Sequence, residues 1–243
     1  MTTKAAKRAI QKHKKFLSLP LSTNDGRSLL EFDFLLMDTK KSRMMAKLFM
    51  KYLRSSGKVH VTTPAGTDMM FYKENRNPGF FNGVLRDGKG YSSSSIEVYV
   101  PIEETKTEGI MVLDGSLGYI GRAGEPTRII FKGGRIVDIE ETPTGIRLKK
   151  YMEEYFDPRI YIAGELGIGL NSCSNCLGNC YIEDESAYGT FHVGLGRNIA
   201  LGGVQNAKGH FDLVCREPDI FTDNRQIMDR GKIIAPELSL IHI

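Results

Sequence analysis

The chain contains no apolar run near the ~18 residues of a membrane-crossing helix and no low-complexity linker, and no unit repeats at a period of ~20 to 50 residues. A helical membrane anchor and a repeat array are therefore not expected. The basic amino terminus has no apolar stretch behind it, so the pattern of a secretory signal is missing too. Cysteine is scarce, with four in 243 residues, which is too few for a disulfide scaffold. Three of the four crowd into "NSCSNCLGNCY" as Cys173, Cys176 and Cys180, and Cys215 stands alone. That uneven crowding suits thiols kept reduced, or liganded, inside a cell, and the expected address is cytoplasmic.

What remains is an ordinary globular composition, 41% apolar and 26% charged, long enough for a full core in one large or two small domains. The net charge is +4, but Lys4, Lys7, Arg8, Lys12, Lys14 and Lys15 stand together without an acid, and +4 less those six leaves −2 for the rest. No stacking aromatics interleave with this run, so it reads as a solvated arm with no nucleic-acid partner. Residues 1–37 are set apart as a basic amino-terminal segment, 38–237 as the main domain, and 238–243 as a tail. The tail, "LSLIHI", is what the string CTGTCTCTTATACACATC encodes, which resembles a transposon end used in preparing sequencing libraries. Leu238 to Ile243 are accordingly expected to be non-native, and His242 is not a candidate ligand.

Periodicity predicts a helix over "MDTKKSRMMAKLFMKYLRSSG", with Asp38 or Thr39 as cap, Met44, Met45, Leu48, Phe49 and Tyr52 as the apolar stripe and Gly57 as the stop. "KVHVTT" alternates with period two and predicts a strand, on which His60 reads as a satisfied or exposed residue and not a ligand. "IEVYVP", "GIMVLDG", "TRIIF" and "RIVDIE" predict further strands, the last two joined by a turn at Gly133 and Gly134. "TPTGIRLKKYMEEYF" returns to helix, while "RIYIAGELGIG", "TFHVGLG" and "HFDLV" return to strand. The expected class is mixed α+β and β-rich, with flanking helices.

Four features can carry chemistry. His210 and Asp212 are two apart, so on a strand both leave the same face and can grip one ion. His192 sits between glycines that let another group approach the backbone closely. Glu97 and Glu165 are acids among apolar strand residues, and a bare buried carboxylate costs several kcal/mol unless it finds a partner or a metal. The cysteine segment supplies three thiols where a structural zinc takes four ligands, so it reads as a loop of small residues lying between the chemical groups.

The succession "PAGTDMMF", "IEVYVPIEETKTEGIMVLDGS", "AGELGIGLN", "DESAYGTFHVGLGRN", "GGVQNAKGHFDLV" and "DNRQIMDRG" resembles the thermophilic metalloprotease family of aminopeptidase T and aminopeptidase S, the leucyl aminopeptidase-like enzymes, over residues 38 to 235. The resemblance implies a metal set of Glu97, Glu165, His192, His210 and Asp212, with Glu97 and Glu165 also the catalytic acids. It further implies a homodimer and a larger protein of which this chain is the carboxyl-terminal part. One position departs from the pattern, since Ile199 stands where the peptidases carry a tyrosine, seven residues after the strand histidine. The same superfamily resemblance extends to 2,5-dihydroxypyridine 5,6-dioxygenase, whose His, His, Asp set corresponds to His192, His210 and Asp212.

Two mechanisms are thus expected on one scaffold. In the favoured one, two divalent cations (Zn, Co or Mn) share an activated water, and the chain is an exopeptidase removing the first residue of a peptide substrate. In the alternative, a single Fe(II) on the triad opens an aromatic ring, with Glu97 and Glu165 facing the substrate. Retention of both glutamates weighs for hydrolysis.

Overall fold

A computed structural model describes residues 4–19, 23–85, 91–223 and 225–234; the tail 238–243 lies outside them. The described residues include four α-helices, α1 (Lys4–Gln11), α2 (Thr39–Ser55), α3 (Pro143–Glu153) and α4 (Tyr181–Ser186). The strands are β1 (Phe16–Ser18), β2 (Lys58–Thr62), β3 (Asp68–Tyr72), β4 (Gly79–Asn82), β5 (Tyr91–Ser93), β6 (Ile96–Pro101), β7 (Glu108–Leu113) and β8 (Thr127–Lys132). They continue with β9 (Arg135–Ile139), β10 (Ala163–Gly169), β11 (Thr190–Gly196), β12 (His210–Arg216), β13 (Asp219–Thr222), β14 (Arg225–Asp229) and β15 (Lys232–Ile233). The fold is mixed α+β and β-rich, as the alternating sequence pattern implies. No helix among the described residues is long and apolar enough to cross a membrane.

Two antiparallel sheets organise these strands. The larger runs β15-β14-β13-β2-β3-β7-β8-β9, the smaller β12-β11-β10-β6-β4, and β1 pairs in parallel with β5 apart from both. Between β8 and β9 the chain turns at Gly133 and Gly134, both with positive φ (56° and 76°), as a tight two-residue hairpin demands. Helix α2 begins where expected, because the Asp38 carboxylate accepts from the amides of Lys40 and Lys41 at 2.8 and 3.2 Å. Its buried face is Met45, Ala46, Phe49, Met50, Tyr52 and Leu53, so the predicted stripe is corrected at Met44, which faces solvent. The helix ends at Ser55, before Gly57. Helix α3 is capped by the Thr142 hydroxyl, which accepts from Gly145 N at 3.0 Å, and stops at Glu153, short of the predicted "YF".

The main core fills the space behind one face of the smaller sheet. Phe191, Val193, Leu195, Phe211, Leu213, Leu166, Ile168, Val98 and Val100 are all within 1% of full burial and belong to it. From the segment before residue 38, Leu29 and Phe34 form a separate buried cluster with Cys180 and Ile182. His60 pairs with Asp68 at 2.7 Å on the larger sheet, consistent with an ordinary strand residue.

Candidate metal centre

Strand pleating assigns the second face of the smaller sheet. On β12, if Phe211 and Leu213 enter the core, His210 and Asp212 point the other way; the same step places His192 on β11, Glu165 on β10 and Glu97 on β6 on that face. The register interleaves these groups with glycine. Gly194 lies opposite both Glu165 and Asp212, and Gly167 lies opposite His192. A Cβ at Gly167 would stand 1.8 Å from His192 Nε2, and one at Gly194 would stand 2.7 Å from Glu165 Oε2 and 2.8 Å from His210 Cε1. The missing side chains are the space that the rings and carboxylates occupy.

All five candidate ligands therefore meet in one place. His192 Nε2 is 3.0 Å from Glu97 Oε2, and His210 Nε2 is 3.3 Å from both Glu165 Oε2 and Asp212 Oδ1. Two groups have ligand atoms within 4.8 Å of one another, Glu97 with Glu165 and His192, and Glu165 with His210 and Asp212. Glu165 belongs to both. The set of His192, His210 and Asp212 that a single iron was expected to take is not itself one of these groups. No cysteine joins either group: Cys215 is buried with its thiol toward the Val112 carbonyl, and burial pushes the Cys176 thiol up to about 12.

Supporting contacts fix the orientation of several members. The Arg197 carbonyl lies 2.9 Å from His210 Nδ1 and can only accept, so Nδ1 carries a proton and Nε2 is turned toward the acids. Ser95 Oγ donates to Glu97 Oε1 at 2.8 Å. Glu185, on α4, is buried beside the cluster, within reach of the charges of Glu97, Asp212 and Glu165. This sixth member is missing from the sequence reading because "IEDES" looks like a solvated acidic run. Its only signal is position, between the cysteine segment and the glycine-framed His192.

The electrostatics favour a cation. Burial opposes charge on the imidazoles, yet the neighbouring acids outweigh it; Glu97 leads in raising His192 to about 9, and Asp212 leads in raising His210. Burial raises Glu165, and burial followed by the charge of Glu97 raises Glu185. Burial would also raise Asp212, but the charge of His210 holds it near 2. Four carboxylates face two imidazoles, so even with both rings charged the balance is −2 unless a proton or a cation enters. Glu97 Oε2 and Asp212 Oδ1 are fully buried yet make no hydrogen bond, since the imidazoles nearby are not aligned to donate. Unpaired buried oxygens, mixed nitrogen and oxygen donors and a cleared cradle suit a divalent metal ion.

Fold and site together define a β-rich α+β domain built around a candidate metal centre. The chain belongs to the family of 2,5-dihydroxypyridine 5,6-dioxygenase, NicX, whose model matches residues 33–235. The curated 2,5-dihydroxypyridine 5,6-dioxygenase of Pseudomonas putida is 25% identical over 218 residues, 83% of this chain and 60% of that protein. The chain thus spans about three fifths of this relative's length. A solved structure of 2,5-dihydroxypyridine dioxygenase from Pseudomonas putida KT2440 superposes with a TM-score of 0.83 over 98% of this chain and 70% of the other, at 20% identity. Wild-type AmpT from Thermus thermophilus superposes at 0.57 over 82% of this chain and 56% of its own, at 15% identity, and shares the fold alone.

These findings correct the favoured expectation. The hydrolase, exopeptidase and leucyl aminopeptidase readings give way to the alternative, and the pair of Zn, Co or Mn ions has no support. The physical reason lies in Glu97 and Glu165. Their retention weighs for a two-metal hydrolase, yet both are kept, and both join the cluster, in a member of a dioxygenase family, so they do not discriminate between the two.

Proposed function

We propose that this chain carries the metal-binding part of an Fe(II)-dependent dioxygenase that opens a dihydroxylated pyridine ring. The observation that carries the reading is the buried meeting of Glu165, His210 and Asp212 beside Glu97 and His192, in a member of the dihydroxypyridine dioxygenase family. Glu165, His210 and Asp212 would hold the ion, with His192 and Glu97 facing it from the neighbouring strands. When bound, Fe(II) supplies open coordination positions for a chelating ring and the one-electron chemistry that O2 requires.

The chain's own groups do the remainder. The Arg197 carbonyl keeps His210 Nε2 directed at the ion. Ser95 holds the Glu97 carboxylate in place beside His192. Glu97 Oε2, buried and unpaired 3.0 Å from His192 Nε2, can take a proton from a ring hydroxyl and return it. Helix α4 packs over β10, β11 and β12 and limits the access of water to the cluster, while His210 stays partly open.

The test is oxygen uptake with 2,5-dihydroxypyridine after anaerobic loading with Fe(II), followed beside the ultraviolet absorbance of the ring. Uptake matched mole for mole by loss of that absorbance is expected. An Fe(II)-loaded, folded chain that consumes no oxygen and leaves the ring intact overturns the reading.

A further inference from the structure

One aromatic pair stands against the cluster without belonging to the main core. Tyr119 lies in the single turn Gly118–Ile120, and Gly118 sits so close to β12 that a Cβ there would be 2.9 Å from the Asp212 carbonyl oxygen. Tyr181 opens α4, which packs against β12 and against the turn that carries Tyr119, and Glu185, four residues on, occupies the same helix face. The Tyr119 and Tyr181 rings are 4.2 Å apart between centroids and inclined at 48°. Tyr181 leans at its back on the buried cluster of Leu29, Phe34, Cys180 and Ile182. Tyr119 belongs to none of the buried clusters of the described residues and is 49% exposed. The pair thus forms a wall that begins at Asp212 and ends in solvent.

We propose that Tyr119 is a specificity-determining residue whose open ring face stacks on a flat hydroxylated aromatic ligand entering the acid and imidazole cluster, with Tyr181 as the positioning residue that sets its tilt. The proposal rests on the reading of the cluster as the ring-opening site and names what selects the ring there. A phenol ionises at about pH 10, so both hydroxyls are protonated at neutral pH. A neutral phenol ring offers an offset or edge contact to any flat π-system but nothing comparable to an aliphatic hydroxy acid of similar charge. Selection for a ring over an aliphatic chelator follows from that difference.

The experiment compares the Fe(II)-loaded chain with Tyr119→Ala, Tyr119→Phe and Tyr181→Leu, anaerobically, by calorimetric titration with 2,5-dihydroxypyridine and with lactate. Because the chain has no tryptophan, quenching of tyrosine emission gives a second readout. Tyr119→Ala should weaken ring binding about tenfold, while lactate binding and iron content stay within about twofold. Tyr119→Phe should match the parent, and Tyr181→Leu should fall between, with KM raised and kcat kept. Should Tyr119→Ala fail to fold by circular dichroism, Tyr119→Leu keeps the bulk without the π face and carries the same expectation. Equal ring affinity in parent and Tyr119→Ala overturns the proposal even where oxygen uptake persists. Loss of ring affinity in Tyr119→Ala from a parent that takes up no oxygen upholds the proposal and removes the ring-opening reading. A parent that binds no ring overturns both.

Discussion

Along β2, β3 and β8 of the larger sheet buried and open positions alternate, whereas every residue of β10 and β11 in the smaller sheet is buried. In the larger sheet one face meets the core and the other meets water, so polar side chains on the second face cost little. In the smaller sheet the second face is covered as well, and there the chain places Glu97, Glu165, His192 and Asp212. Water cannot stabilise those charges, and each is a stability liability that a bound cation would offset. The comparison separates a surface built for folding from one built for a ligand.

The sharpest way to break that contrast is to remove the liability. Replacing His210 and Asp212 together by Ala should lower metal affinity by more than about 100-fold, the upper range for disturbing a ligand's outer partners. The metal-free double variant should be no less heat-stable than the metal-free parent, because a buried, imperfectly paired cluster has been dissolved. Elemental analysis after dialysis and a thermal melt check both halves. Metal content equal to the parent in a folded double variant would refute the assignment of the centre.

A smaller intrusion tests the cradle. Gly167→Ala puts a methyl group where His192 Nε2 now lies, and should cost about 10- to 100-fold in metal affinity as the ring is displaced. The matching change on the wet face of the larger sheet, Val137→Thr on β9, should move stability by no more than about 0.5 kcal/mol and leave metal binding alone. Equal effects at the two sites would dissolve the distinction between the sheets.

The contrast also explains what the sequence made legible. Alternation is strong where one face is wet, so β2, β7, β8 and β9 of the larger sheet and the Gly133-Gly134 hairpin are readable from period and turn residues. The H-x-D pair on β12 is readable because strand pleating alone brings His210 and Asp212 to one face. What pairs with what is not local, and nothing in "DIFT" announces that β13 lies against β2. Glu185 escaped notice because three consecutive acids, Glu183 to Glu185, normally mark a solvated helix, and here all three are buried. The choice of reaction was illegible for another reason. The same five side chains fitted the hydrolytic and the oxidative expectation alike, so residue identity could not separate them.

In the connection between the two sheets a third kind of charge is found, half-buried but fully paired. Glu104, in the connection from β6 to β7, receives both arms of the Arg76 guanidinium at 2.9 and 2.6 Å, the Asn198 amide at 2.7 Å and the Val204 amide at 3.0 Å. Burial works to raise its pKa, but these donors outweigh it and hold the carboxyl at about 2, against an ordinary 4.5. A depressed folded value means stability fully present above pH 4.5 and lost as pH falls toward 2. The loss should approach about 3 kcal/mol, and Glu104→Gln should remove most of that dependence. Denaturant midpoints at pH 6 and about pH 3 read it; a parent and variant with parallel pH profiles would show that the network contributes no linkage.

The smallest expected effect falls on the thiols, and it bears on whether the covered side of the smaller sheet holds one metal centre or two. Cys173 is half-exposed, its backbone N–H donating to Asn171 Oδ1 at 2.9 Å, and its side chain belongs to neither group of candidate ligands. Cys176 and Cys180 are buried in different apolar clusters, the first with Ala187 and Val214, the second with Leu29, Phe34 and Ile182, so they act as small core residues and do not converge. Cys173→Ser should therefore change stability by less than about 0.5 kcal/mol. Cys176→Ala and Cys180→Ala, which add no polar atom to their clusters, should each cost about 1 kcal/mol. Metal content should be the same in all three. Loss of one equivalent of zinc on any of these replacements, measured by elemental analysis beside the thermal melt, would establish a second metal centre and make the cysteine segment a ligand loop in its own right.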